Sequence, residues 1–321
     1  MQSFELLSQK FALHFEKSHF PAQPSSLYQA TEYFLQLGGK RVRPVLCLMG
    51  NELFDEINPD AWHVATAIEL FHNFTLIHDD IMDKAPLRRG NQTVHAKFGE
   101  STALLAGDVM LVGAYDYLNK INSAYIHSVI NLFNKTAKEV CEGQQIDMDF
   151  EKKDEVSLED YLHMIELKTS VLLAASLKLG SILGGASQRN QNLLYEFGKK
   201  LGIAFQIQDD YLDAFGDPKK FGKQPGGDIR SNKKTFLLIQ ALSVANNPQK
   251  KELKKLMAGN GDNKTEKVLQ VFYDCKVNEW ALQLKNKYLD VAFVHLEDVA
   301  VLSKRKEPLY AMAKFLAQRE Y

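Results

Sequence analysis

Two acidic clusters carry the clearest chemistry in this chain. Asp79, Asp80 and Asp83 follow the apolar run AIELFHNFTLIH, and Asp209, Asp210 and Asp213 follow GIAFQIQ. Both read D-D-x-x-D. Carboxylates that close repel one another, and burying them unpaired either costs several kcal/mol or forces them to neutralise. In a helix, residues four apart share a face about 6 Å apart along the axis. Asp79 with Asp83, and Asp209 with Asp213, would each aim a pair of oxygens one way. Hard cations with oxygen ligands suit such pairs. Mg²⁺ leads, because it takes one or two carboxylates and completes its shell with water and substrate phosphates. One such cluster could be a solvated helix end, but two on apolar helices with the same spacing point to a metal site.

Cations stand where a diphosphate would need them. GGKRVRP supplies Lys40, Arg41 and Arg43, LRRG supplies Arg88 and Arg89, and FGK supplies Lys223 ten residues beyond the second cluster. Arginine forks suit phosphate oxygens bidentately, whereas lysine acts as a mobile point charge. Lys168 sits beside Thr169 in the apolar stretch MIELKTSVLLAASLKL, where a bare ammonium wants an anion. His72 precedes Asp79 by seven residues, two helical turns back on the same face. Metal ions held by carboxylates among arginines and lysines describe diphosphate binding and stabilisation of pyrophosphate as a leaving group. Neither a Walker A loop nor a kinase glycine loop is present, which disfavours nucleotide phosphoryl transfer.

The elements that must hold these residues read as helices almost throughout. FELLSQKFALHFEK, SLYQATEYFLQL, AWHVATAIELFHNFTLI, STALLAGDVMLVGAYDYL and IHSVINLFNKTAKEVCEGQQI place apolar residues at three- and four-residue steps. So do SLEDYLHMIELKTSVLLAASLKLGSIL, QNLLYEFGKKLGIAFQIQDDYLDAF and the tail from Lys264. Residues 20–26, 84–101, 215–234 and 258–264 break the pattern with glycine, proline and polar residues. No break reads as a linker, so a single all-α domain over 1–321 is expected, a large bundle of long helices. The 321 residues are 45% hydrophobic and 25% charged with net charge −1, which argues for a globular chain and against a general nucleic-acid binder. Three scattered cysteines without CxxC spacing predict a reduced, cytoplasmic setting and no structural zinc. The N-terminus has charges inside its apolar pattern and does not read as a signal peptide, and no membrane span is expected.

In order along the chain, GGKRVRP, DDIMD, LRRG, GQQID, KTS, FQIQDDYLD and GK closely resemble the trans-isoprenyl diphosphate synthase (polyprenyl synthetase) family over residues 36–236. The resemblance implies an isoprenoid-synthase fold with helices around a deep central cavity, usually as a homodimer. It implies head-to-tail condensation of isopentenyl diphosphate with an allylic diphosphate (dimethylallyl, geranyl or farnesyl) and release of pyrophosphate. By the same resemblance Asp79, Asp83 and Asp209 hold three Mg²⁺ ions directly, while Asp80 and Asp213 act in support and Asp210 completes the second metal motif. Arg88, Lys168 and Lys223 then meet the allylic diphosphate. Lys40, Arg43, His72 and Arg89 take the isopentenyl diphosphate. Thr169 and Gln206 place oxygen dipoles near the allylic cation, and Gln144 and Asp147 line the metal side.

Cavity depth should set product length. Phe74, five residues before Asp79, resembles the bulky floor of short-chain synthases, with Thr75 beside it and Phe71 a turn behind. The first motif lacks the insertion usual in bacterial farnesyl synthases, and Thr75 replaces a second aromatic, so C20 is favoured over C15. The family often ends in a basic cluster, whereas LAQREY offers only Arg319. Two rival readings are a class I terpene cyclase, whose second motif is an Asn/Ser/Glu pattern, and a non-catalytic subunit of a heteromeric synthase, which typically loses an acidic motif.

Overall fold

The structure is a computed structural model that describes residues 1–217, 226–259 and 263–318. Its described secondary structure is helical apart from one two-residue hairpin, which bears out the all-α class. The chain forms two compact units. One comprises Met1–Lys135, Ala175–Leu194 and Ala300–Pro308; the other comprises Thr136–Ala174, Tyr195–Val299 and the chain from Leu309 on.

The first unit contains α1 (Phe4–Phe15), α2 (Ser25–Gln36), α3 (Val42–Glu52), α4 (Pro59–Met82), α5 (Val94–Phe98) and α6 (Glu100–Leu118). Helix α4 starts with matched chemistry: Asn58 accepts a hydrogen bond from the Asp60 N–H, Pro59 follows the cap, and Asp60 lies in the positive first turn. Its apolar residues Val64, Ile68 and Phe71 join Phe11, Phe34, Leu48 and Met110 in a core closed to solvent. Gly107 on α6 lets α4 approach: a Cβ there would overlap the His78 ring. The segment read as a break, 84–101, holds the antiparallel pair β1 (Leu87–Arg88) and β2 (Asn91–Gln92), then α5.

The 30-residue helix α7 (Ser123–Lys152) has residues in each unit. The second unit also holds α8 (Leu158–Ile165), one turn of π-helix at Glu166–Ser170, and the start of α9 (Val171–Leu183). Periodicity predicted one unbroken helix here; the wide turn interrupts it, and its cause is packing. Gly143 of α7 and Gly202 of α10 (Gln188–Phe215) both press on the turn. A Cβ at Gly143 would overlap the backbone nitrogen of Lys168, and one at Gly202 would lie 2.6 Å from the Ser170 Cα. Short α11 (Gly227–Arg230), α12 (Phe236–Val244), α13 (Asn247–Met257), α14 (Lys264–Asp274), α15 (Val277–Glu297) and α16 (Ser303–Gln318) follow. Their core gathers Phe150, Tyr161, Ile207, Phe236 and Phe272. Among the described residues no helix is long and apolar enough to cross a membrane.

Candidate active site

The first acidic motif sits where α4 ends. Asp83 caps the helix, its N–H donating to the Asp79 carbonyl at 2.9 Å. Burial sorts the three acids: Asp83 is exposed, Asp79 half-buried, and Asp80 only 1% exposed. Asp80 faces Arg88, which returns along β1. Arg88 Nε donates to both Asp80 oxygens at 2.8 Å, and its Nη2 lies 2.7 Å from Asp80 Oδ1 and 3.4 Å from Asp79 Oδ2. Burial pushes the Asp80 carboxyl up, and the bonds from Arg88 restrain that rise. Burial also opposes the charge on Arg88, but Asp80 and Asp79 outweigh it and raise its basicity. Thus the middle acid anchors the motif, while Asp83 is open to solvent and Asp79 is half-enclosed beside Arg88.

The GGKRVRP segment lies between α2 and α3. Arg41, in the left-handed region at φ 48°, donates to buried Glu69 and to the Leu35 carbonyl at 3.0 Å, with its guanidinium over the Phe15 ring. Arg43 Nη1 donates to His72 Nε2 at 3.1 Å. Because guanidinium only donates, His72 Nε2 accepts and its proton is on Nδ1. Burial, then the positive charge of Arg43, holds the His72 pKa well below its usual range, so the ring is neutral. Burial likewise lowers Arg43 to about 10, against the pull of Glu69. Arg43 Nε is buried and meets no hydrogen-bond partner among the described residues. Arg89, also left-handed, donates to the Gly38 carbonyl of the same segment, and Lys40 is exposed. Together these cations, Arg41 and Arg43 withdrawn from solvent and Lys40 and Arg89 exposed, form a local positive field suited to an anion.

Phe74 is half-buried on α4, packed edge-on against His78 at 4.7 Å and tilted against Phe71 at 5.6 Å. Phe71 in turn meets Phe133 at 5.3 Å. His78 is pinned by the Leu104 carbonyl at 3.1 Å and by the fit against Gly107, so Phe74 has little room to turn.

The second motif, on α10, repeats the sorting. Asp209 and Asp213 are half-buried, while Asp210 is buried and accepts from the Tyr161 hydroxyl and from Gln206 Nε2 at 2.8 Å. Burial, with the charge of Asp228 adding to it, pushes Asp210 up to about 7 against these hydrogen bonds. Gln206 also accepts from Thr169 Oγ1 at 3.0 Å, which ties the π turn to the motif. On the same turn Lys168 finds its anion in Asp147 of α7, at 2.6 Å. Gln144 lies one residue beyond Gly143, half-buried. Lys223 and Arg319 fall outside the described residues.

Two contributors escaped the sequence reading. Tyr161 counted only as one apolar step of α8, although a tyrosine in a buried stripe needs a partner for its hydroxyl. Asp228 lay in a segment read as a loop; its N–H donates to Asp213 Oδ2 at 2.9 Å. Among the described residues no three His, Cys, Asp or Glu side chains converge into a ready cage. The donors are carboxylate pairs at helix ends, a set that fits a hard divalent ion whose remaining ligands come from water and substrate oxygens.

The sequence profile of polyprenyl synthetases matches residues 24–275. The chain is 37% identical over 304 residues to a geranylgeranyl diphosphate synthase of Methanosarcina mazei, covering 93% of this chain and 91% of that one. A crystal structure of a geranylgeranyl pyrophosphate synthase superposes with a TM-score of 0.95 at 41% identity, covering 100% of both chains. A geranylgeranyl pyrophosphate synthetase from Pyrococcus horikoshii Ot3 gives a TM-score of 0.93 at 34% identity, covering 98% of each.

Proposed function

The chain belongs to the polyprenyl synthetase family of prenyltransferases, and we propose that it condenses isopentenyl diphosphate head to tail with dimethylallyl, geranyl or farnesyl diphosphate. Pyrophosphate is released, C20 is the favoured product, and residues 1–321 act as one catalytic domain. One observation carries this reading: both DDxxD motifs bury and anchor their middle acid and leave the outer acids less buried, three half-buried and Asp83 exposed. Asp79, Asp83 and Asp209 would hold Mg²⁺ (three ions with substrate bound), with Asp80, Asp210 and Asp213 in support. Mg²⁺, when bound, neutralises the diphosphate and stabilises it as a leaving group.

The side chains do the rest. Arg88, Lys168 and Lys223 receive the allylic diphosphate; Lys168 shares its ammonium between that anion and Asp147. Gln144 and Asp147 line this side of the site. Lys40, Arg43 and Arg89 bind the isopentenyl diphosphate, and neutral His72 donates from Nδ1–H. Thr169 gives its hydroxyl proton to Gln206 and so turns oxygen lone pairs toward the allylic cation. The isopentenyl double bond attacks that cation, and the departing pyrophosphate takes the proton. No protein nucleophile is needed, because the work is fixed electrostatics.

The test is direct. Purified protein, Mg²⁺, labelled isopentenyl diphosphate and each primer should give a C20 prenyl diphosphate, sized by chromatography. No elongation from any primer would defeat the proposal. A hydrocarbon formed from one allylic substrate alone would instead indicate a cyclase.

Phe74 sets the length in this scheme. Its alanine variant, Phe74→Ala, removes a ring held between Phe71 and His78 and should shift the main product by at least one isoprene unit, to C25 or longer. An unaltered product spectrum would show that Phe74 is not the floor. The related geranylgeranyl synthase of Methanosarcina mazei supports C20.

The proposed assembly is a homodimer. Helix α6 exposes Leu104, Leu105, Val112 and Tyr115, apolar side chains that a second copy could cover. Light scattering should give twice the chain mass, and Leu105→Asp with Val112→Asp should halve it. A monomeric unsubstituted protein would refute this assembly.

A further inference from the structure

Lys285, on α15, is a lysine in the core of the second unit, only 9% exposed. Its Nζ donates to Gln208 Oε1 at 3.0 Å and to the Ala317 carbonyl at 3.0 Å. Burial lowers its pKa. An apolar side chain would fill that volume without the cost of desolvating an ammonium, so the lysine's hydrogen bonds are what distinguish it there.

Both partners are informative. Ala317 lies in the last described turn of α16, where the helix dipole favours a cation. Gln208 is 5% exposed and immediately precedes Asp209 on α10. Successive side chains on a helix point about 100° apart, so the direction in which Gln208 is tied also fixes where Asp209 and Asp213 point. Sites of this kind tolerate misplacement of only about 0.5 Å or 10–20°.

We infer that Lys285 is a positioning residue for the second acidic motif: through Gln208 it fixes the rotation of α10, and through Ala317 it makes that rotation depend on the end of α16. The inference rests on the reading of Asp209 and Asp213 as the diphosphate-side acids. It gives the C-terminal helix a part in the reaction that needs no basic tail.

The probe is inorganic pyrophosphate, titrated calorimetrically into the full-length protein at fixed Mg²⁺, alongside kcat, KM and the Mg²⁺ concentration for half-maximal rate. Lys285→Met should bind pyrophosphate about tenfold more weakly, equivalent to ~1.4 kcal/mol, and need correspondingly more Mg²⁺. Lys285→Arg, which keeps donors, should recover most of that loss. Gln208→Leu should reproduce it, and the double variant should lose no more than either single one, because both break the same link. Wild-type pyrophosphate affinity and Mg²⁺ dependence in Lys285→Met, with or without a lower Tm, would overturn the inference and leave a packing role. If Lys285→Met does not fold, Gln208→Leu decides, and unchanged binding there overturns it equally. Failure of the unsubstituted protein to bind pyrophosphate with Mg²⁺ would remove the diphosphate reading of the motif and the role of Lys285 with it.

Discussion

Asp79→Ala is expected to lower kcat/KM for elongation by about 10³-fold, since a metal contribution of several kcal/mol is lost and each 1.36 kcal/mol is a factor of ten. Its fold should survive. Asp79 lies 3.4 Å from Arg88, with side chains 21% and 24% exposed, and Asp80 keeps the closer bonds to that arginine. A partly exposed pair of that length contributes ~1 kcal/mol or less. Asp80→Ala should behave in the opposite order, because it strands Arg88 and loosens the turn before activity can be assigned. Steady-state kinetics beside a urea melt separates the two. Elongation by Asp79→Ala within tenfold of the unsubstituted protein would remove this residue from the metal site.

Glu69→Ala is expected to destabilise the first unit by about 3–5 kcal/mol, the cost of leaving one member of a buried ion pair uncompensated. Arg41 and Glu69 are 10% and 3% exposed, and Asn73 Nδ2 also donates to Glu69 Oε1 at 3.0 Å. On the proposed role of Lys40 and Arg43, the loss should propagate to substrate binding, because Arg41 ties down the segment that carries them. KM for isopentenyl diphosphate should therefore rise in whatever fraction stays folded. Arg41→Met together with Glu69→Leu should restore most of the stability, since well-packed apolar pairs often replace buried ion pairs at little cost. An unfolding free energy for Glu69→Ala within ~1 kcal/mol of that of the unsubstituted chain would overturn this expectation and mean that water reaches the pair.

Much of the chemistry was legible because it is local. The DDxxD spacing fixes which carboxylates share a helix face, and GGKRVRP and LRRG announce cations by composition alone. Helix class was legible because a 3.6-residue period persists along most of the chain. What stayed hidden is what the chain brings together from afar. Lys168 advertised its need for an anion, but nothing local named Asp147, 21 residues earlier on another helix. Tyr161 reaches Asp210 across 49 positions, and its hydroxyl was invisible inside an apolar stripe. Asp228 became meaningful only once its N–H was seen on Asp213. The division of labour within each motif, one acid anchored and two left less buried, is a product of packing and not of spacing. The π turn escaped because one extra residue in a long apolar helix barely disturbs its periodicity.

That extra residue also bears on how such a chain can change. Removing one position from Glu166–Ser170 would restore an ordinary helix and leave its two flanks in phase, because the wide turn absorbs its extra residue without adding the usual rotation of about 100°. Lys168 and Thr169, which lie inside the turn, would lose the placement that puts them on Asp147 and Gln206. Point substitutions can explore this stretch one side chain at a time, but a single-codon deletion would break several hydrogen bonds at once. Natural variation in length should therefore be found at the surface turns of this protein and be absent from this five-residue turn.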